Sequence, residues 1–430
     1  MHDHIIQELV ERFSGTSITR KDILRELFQN QELRDKFVNE IRRSTVIGQL
    51  TNETLQQLGN TDSCKILAIG DVVYFGELKE NWGKFMSDAL KNIDVWNLSG
   101  YDMTGQGSGE LRKALYNYMK LYYDFSGGQK DLEHEIIPTY GATDGFVSIL
   151  DTVRGIYPDK RIRFIYPEAS FMANVKIAES MFWNENVIQI QKPTIDNFFF
   201  TPTQVPEYYD DTVHIYYITS VWNPTGNKID AERLFEVLKY ISDTDKNAIF
   251  LMDNVYVGIL RTEESRNMFA KIFENTEILE RIIFLESLSK TLGMTGVRIG
   301  WIWSINTLFS ENIKKTVILK KAGFSKVLDG LAVHILSDLE QIDTFQNKVY
   351  DFWSTQRLRF VEYIRENYPQ FFDFEASPPI FERQGIYVFL KIRDNYTVQD
   401  IFALTGMIGV GITLSDGEYI RYAFGNVNYF

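Results

Sequence analysis

The chain has 430 residues, 44% of them hydrophobic and 24% charged, with a formal net charge of −13. That length implies a large domain beside a smaller one, and the acidic surplus excludes nucleic acid or an anionic membrane as the main partner. One cysteine, Cys64, excludes an internal disulfide framework and fits a reducing, cytoplasmic setting.

Met1-His2-Asp3-His4 lacks the basic start of a secretory signal. No run approaches the ~20 apolar residues that a bilayer span needs. Residues 1–60 read as helical: Ile5, Ile6, Leu9, Val10 and Phe13 form one apolar stripe, and Leu24, Leu27 and Phe28 form another. Thr19 with Asp22 gives a capping signal between them. From about residue 136 the texture changes to short β-rich runs alternating with amphipathic stretches, the pattern of βα units and a mainly parallel sheet. The runs are Ile136–Tyr140, Ile162–Tyr166, Val213–Ser220, Ala248–Met252 and Ile282–Leu285. Residues 306–366 read as long helices, and Gly385–Ile392 and Tyr419–Phe424 as strands. The expected division is a helical extension over 1–60, the first part of a small domain with its connection over 61–100, a large α/β domain over 101–320, and a small C-terminal domain over 321–430.

Polar motifs begin where predicted strands end: Gly141-Ala142-Thr143, Asn223-Pro224-Thr225-Gly226, Asp253-Asn254-Val255-Tyr256 and Ser287-Leu288-Ser289-Lys290. Ligands of open α/β sheets bind outside the carboxyl ends of the strands, so these motifs converge on one crevice. Gly141-Ala142-Thr143 opens a helix whose free N–H groups suit a phosphate, although small residues before a helix are more often a plain turn. Asp253 is either a solvated cap or a buried carboxylate that keeps a pyridine nitrogen protonated. Asn223 and Tyr256 suit a phenolate oxygen, while Asn223-Pro224 also fits an ordinary turn. The stretch Ser287–Trp301 joins hydroxyls, Lys290, Arg298 and close-approach glycines. The bland alternative is a surface lysine before a Gly-rich loop. The five histidines show no metal-ligand spacing, no metal is expected, and His134, His214 and His334 read as structural.

Taken together, these segments resemble fold-type-I pyridoxal 5′-phosphate (PLP) enzymes, specifically the class I/II aminotransferases of the aspartate-aminotransferase type. Ser287–Gly300 is similar to that family's Schiff-base segment, with Asn-Pro-Thr-Gly and Asp-x-x-Tyr upstream in the expected order. Ile66–Asp71, Tyr101–Arg112 and Tyr419–Phe424 resemble further family segments, so the likeness runs from about residue 64 to the end. The resemblance implies that Lys290 holds the cofactor and shuttles the proton, Asp253 pairs with the pyridinium nitrogen, and Asn223 and Tyr256 bond the ring hydroxyl. It assigns the phosphate to Gly141, Ala142, Thr143, Ser287, Ser289 and Arg298, together with Tyr101 from a second subunit of a homodimer. Arg421 takes the substrate carboxylate, with Gly70 and Asn223 beside it, and the substrates are an L-amino acid and a 2-oxo acid. A cis Asn223–Pro224 bond is also expected.

Several segments depart from the family pattern. After Pro167, where an aromatic ring is expected over the cofactor, Ala169 holds the matching position and Phe171, the candidate, follows two residues later. Between Gly411 and Arg421 only Ile412–Ile420 stands in place of a longer loop. No second arginine for a distal carboxylate is assigned. Gly105-Gln106-Gly107-Ser108-Gly109 resembles a nucleotide loop, but no apolar strand precedes it and no Gly-Lys-Ser/Thr follows. The same cofactor cage would also serve a lyase or decarboxylase, and a non-catalytic PLP-binding regulator is the reading from another class.

Overall fold

The computed structural model describes residues 65–67, 72–94, 98, 100, 102, 104–125, 132–191, 201, 204, 211–377, 386–405 and 407–424. The expected helices of residues 1–60, and the candidates Gly70 and Tyr101, lie outside the described residues.

Strand β1 (Lys65–Ile66) is followed by helices α1 (Gly76–Lys91) and α2 (Gly109–Met119). The βα alternation then builds the main sheet. Strand β2 (Ile137–Thr139) leads into α3 (Ala142–Ile156), β3 (Arg161–Pro167) into α4 (Met172–Phe182), and β4 (Val187–Ile190) into β5 (Thr212–Thr219). Next come α5 (Ala231–Thr244), β6 (Ala248–Asp253), α6 (Thr262–Glu274), α7 (Thr276–Leu279), β7 (Ile282–Ser287), the one-turn α8 (Leu288–Thr291) and β8 (Gly300–Trp303). These strands form a seven-stranded sheet in the order β2-β8-β7-β6-β5-β3-β4. All neighbours are parallel except at β8, which runs against both β7 and β2.

The sheet is covered on both faces, and this is why its strands read as unbroken apolar runs. Along β5 the period of two is still visible in the packing. Val213, Ile215 and Tyr217 join Phe146, Ile149 and Val153 of α3 on one face. Tyr216 and Ile218 join Leu234, Val237 and Leu238 of α5 on the other.

Residues 306–366, expected as long helices, form α9 (Thr307–Lys321), α10 (Lys326–Ile335) and α11 (Leu339–Asn367). The first break is made by Ala322 and Gly323, both with positive φ. The caps Ser325 and Asp338 then restart α10 and α11. A second, antiparallel sheet in the order β12-β13-β10-β9 follows. It is built from β9 (Phe372–Asp373), β10 (Tyr387–Ile392), β12 (Val410–Leu414) and β13 (Gly417–Ala423). Helix α12 (Val398–Thr405) and β11 (Met407–Ile408) lie between β10 and β12, and β11 pairs in parallel with β1, tying the two ends of the described chain together. The segment Ile412–Ile420, expected to leave only a short loop, is a tight hairpin whose turn lies between Leu414 and Gly417.

Glu286 is the charged residue of β7 and is almost wholly buried. Its Oε1 accepts from Trp303 Nε1 at 2.7 Å and from the Tyr123 hydroxyl at 2.9 Å, while Oε2 has no partner among the described residues. Burial pushes this carboxyl up to about 7 from 4.5, outweighing the two donors that pull it down. Between those values the native state binds the extra proton, so stability is full below about pH 4.5 and falls as pH rises to about 7. The gap is worth on the order of 3 kcal/mol. The difference in urea midpoint between the wild type and Glu286→Gln should therefore drift in the variant's favour from pH 5 to 8. Parallel midpoints across that range would disprove the assignment.

Candidate active site

The cofactor-type motifs of the sequence meet at the carboxyl edge of the main sheet, where β6 ends in Asp253 and β7 ends in Ser287. They surround a cavity of about 440 Å³ that is also lined by Arg421 of β13. Larger hollows lie between α1 and α11, but none of the four strand-end motifs lines them.

At one end lies Asp253, buried at the last position of β6. Its Oδ2 accepts from the Tyr217 hydroxyl at 2.8 Å and from Asn174 Nδ2 at 3.3 Å, and Oδ1 from the Val255 N–H at 3.4 Å. Burial pushes the acid up to about 6, against the pull of the Tyr217 and Val255 bonds. A cationic ring nitrogen placed against it would restore the charge that burial penalises.

At the opposite end the N-terminus of α3 presents Ala142 and Thr143, whose N–H groups no helical carbonyl claims. Ser287 caps α8: its Oγ accepts from the Ser289 N–H at 3.0 Å, lies 2.8 Å from the Ser289 hydroxyl and donates to the Ile299 carbonyl at 2.8 Å. Arg298 has a φ of 66°, and its Nη1 donates to the Thr295 carbonyl at 3.0 Å. The guanidinium lies so close to Gly141, itself at φ 82°, that a Cβ there would meet Nη2 at 2.4 Å. Lys290, half-buried on the single turn of α8, lines the same cavity. An anion cradle, a primary amine and a buried acid lining one cavity fit PLP.

Over the cavity, Arg421 Nη1 donates to Asn223 Oδ1 at 2.6 Å. A guanidinium only donates, so this bond takes the Asn223 oxygen and leaves its amide N–H groups for other partners. Asn223 follows a trans peptide into Pro224, since the described residues hold no cis bond, and the cis expectation is corrected. The turn closes without it: Gly226 N–H donates to the Trp222 carbonyl at 2.7 Å, Trp222 N–H to the Asn227 carbonyl at 2.8 Å, and Gly226 takes a φ of 72°. Phe171 lines the cavity at the cap of α4. Ala169 instead packs beside Phe389, Leu414 and Tyr419 of the second sheet.

Sequence reasoning missed Asn174, Tyr217 and Tyr387, all of which line the cavity. Asn174 falls one helical turn after Phe171, and Tyr217 is a hydroxyl in an otherwise apolar strand, so both carried a faint signal. Tyr387, on β10, is brought in only by the second sheet. The Gly105–Gly109 loop is no anion cradle: the Gly107 N–H donates to Asp102 at 2.7 Å and the Ser108 N–H to Asp329 at 2.6 Å. His214 lies at the far end of β5, paired with Asp245 at 2.6 Å.

The family described as aminotransferase class I and II matches residues 76–398. The chain belongs to that family, whose cofactor is pyridoxal 5′-phosphate. A histidinol-phosphate aminotransferase of Methanococcus aeolicus is 22% identical over 66% of this chain and 70% of its own. An aspartate aminotransferase of Pyrococcus horikoshii is 29% identical over 48% of this chain, and the match spans only 49% of that relative. The solved aromatic aminotransferase from Pyrococcus horikoshii superposes with a TM-score of 0.64 at 18% identity, covering 87% of this chain and 94% of that one. The fold is thus the fold-type-I α/β architecture.

Gly300 holds these parts together. A Cβ on it would meet the Gly141 carbonyl carbon at 2.7 Å, the Glu286 carbonyl oxygen at 2.9 Å and the Ala142 nitrogen at 3.0 Å, all of them backbone. Gly300→Ala should cost about 1–3 kcal/mol of stability by overpacking. It should also weaken cofactor binding at least tenfold, measured by fluorescence titration of the apoprotein; unchanged affinity would show that the helix and Lys290 segment need not touch.

Proposed function

We propose that this chain is a PLP-dependent aminotransferase that moves an amino group from an L-amino acid to a 2-oxo acid. The observation that carries the reading is the convergence of Lys290, Asp253 and Arg421 on one cavity from three separate elements. When bound, PLP supplies a carbonyl for the amine and a ring that accepts the electrons of the Cα–H bond.

The rest of the work falls to the chain. Gly141, Ala142, Thr143, Ser287, Ser289 and Arg298 would hold the phosphate, and Phe171 would cover the ring. Asp253 would keep the ring nitrogen protonated, with Tyr217 and Asn174 fixing its carboxylate. Asn223 and Tyr256 would bond the ring oxygen. Arg421 offers a planar fork to the substrate carboxylate. Fixing the carboxylate turns the Cα–H bond toward Lys290 and keeps the carboxyl group from leaving. Lys290 would bind the cofactor covalently, then, once freed, take the Cα proton and return it at C4′. Gly70 beside the substrate and the partner subunit's Tyr101 at the phosphate complete the reading. The single cysteine and acidic composition support a cytoplasmic setting.

A second reading has support from a 1-aminocyclopropane-1-carboxylate synthase of Solanum lycopersicum, 25% identical over 54% of this chain. The same cage would then serve a lyase. The two readings separate when single amino acids are added without a 2-oxo acid and the visible absorbance is followed. Stoichiometric conversion to the pyridoxamine form is expected, and borohydride reduction beforehand should label Lys290. Steady release of a cleaved product with the absorbance intact would favour the lyase, and a label on another lysine would overturn the assignment.

The proposal includes a homodimer, because Tyr101 serves the phosphate only from a second subunit. Sedimentation should give twice the chain mass at working concentration; a monomer with full activity would contradict it.

A further inference from the structure

Tyr387 is buried at the start of β10. Its hydroxyl lies 2.5 Å from that of Tyr256, whose partner element is the loop after β6. Its ring lies under the Arg421 guanidinium, 4.7 Å from Cζ to the centroid. The strand register explains the second contact. Phe389 faces Arg421 across β10 and β13 while Tyr387 faces Ala423, so Tyr387 and Arg421 are diagonal neighbours on one face of the second sheet.

Two phenols at 2.5 Å share one hydrogen between their oxygens, and the direction of that bond decides what Tyr256 does with its own. A cation over the face of Tyr387 draws on the ring's electrons and makes its hydroxyl the better donor. With Tyr387 donating, Tyr256 accepts, and the Tyr256 hydrogen is left for an acceptor in the cavity that both residues line. With the directions reversed, Tyr256 would spend its hydrogen on Tyr387 and offer a ligand only lone pairs. Burial, reinforced by the neighbouring Tyr387, holds the Tyr256 phenol well above its ordinary range, so it keeps that hydrogen at every working pH.

We infer that Tyr387 is a positioning residue for the proposed reaction: its hydroxyl turns the Tyr256 hydrogen toward the cofactor's ring oxygen, and its ring seats the Arg421 guanidinium. The two sides of the site, ring oxygen and substrate carboxylate, are thereby joined through one side chain. The inference deepens the reading of the preceding section and rests on it.

The test is a pH titration of the visible absorbance of the Lys290-bound cofactor in holoenzyme. A ring oxygen that loses an aligned donor holds the neighbouring proton more tightly, so Tyr387→Phe should move the midpoint upward by roughly one pH unit. Tyr256→Phe should move it in the same direction by at least as much, and the double variant no further than Tyr256→Phe alone. Tyr387→Phe keeps the ring under Arg421, so KM for the amino acid should stay within about threefold while kcat falls; Tyr387→Leu removes the ring and should raise KM about tenfold. A Tyr387→Phe midpoint equal to the parent's, or shifts that add in the double variant, overturns the inference alone. So does a Tyr387→Phe protein that no longer folds or loads cofactor, because the inference gives the hydroxyl no part in either. A parent holoenzyme with no titrating band sinks the Lys290 reading, and this inference with it.

Discussion

The site depends on a close approach of backbones around Gly300. Strand β8 turns back on β7, pairing Gly300 with Ser287, and the segment between them, which carries Lys290 and Arg298, is closed at its base. Leu288 N–H donates to the Ile299 carbonyl at 3.1 Å, and the Ser287 hydroxyl bonds the same oxygen. Because Gly300 has no side chain, the start of α3 lies directly against this base. The N–H groups of one helix and the hydroxyls and guanidinium of another segment are thus aimed at a common point by main-chain contact. The phosphate proposed to sit there would be held by main-chain N–H groups as well as by side chains, which suits a group that must hold while other parts move.

The second sheet supplies what the first lacks. It reaches the main sheet's edge through Arg421 on Asn223, Tyr387 on Tyr256, and the turn residue Ser415, whose N–H and hydroxyl are both bonded by the buried Glu168. Glu168 directly precedes Ala169, whose positive φ tucks it among Phe389, Leu414 and Tyr419. The hairpin that carries Arg421 is therefore held at its tip as well as along its strands. Shortening the segment before Arg421 does not leave the arginine adrift; it replaces a free loop by a latched hairpin.

Much of this was legible in the residues. The apolar runs gave the strands of the main sheet because a sheet covered on both faces demands continuous hydrophobicity, and the polar motifs at their ends gave the crevice. Gly141–Thr143, Asn223, Asp253, Tyr256, Ser287, Ser289, Lys290, Arg298 and Arg421 all line or adjoin it. Strand β8 was not legible, since Gly300–Trp303 is short and sits inside a glycine-rich motif. The helices of 306–366 were legible as a group, and Ser325 and Asp338 mark where α10 and α11 start. The trans bond at Pro224 was missed because the turn's own hydrogen bonds, rather than the proline, set its direction. Tyr387 could not be found by any local pattern: its meaning comes from a partner on a different sheet.

The contacts of the site differ greatly in how much chain they enclose. The bond that closes the Lys290 segment joins residues 12 apart, and Tyr217 to Asp253 spans 36. Arg421 to Asn223 spans 198, and Ser415 to Glu168 spans 247. Enclosing a longer stretch costs more chain entropy before any contact repays it, so short-range contacts form early and long-range ones late. The Lys290 segment and the Tyr217–Asp253 pair can therefore form while the contacts of Arg421 and Ser415 are still unmade. In a nascent or recovering chain, the Arg421 side of the pocket is then the last to close.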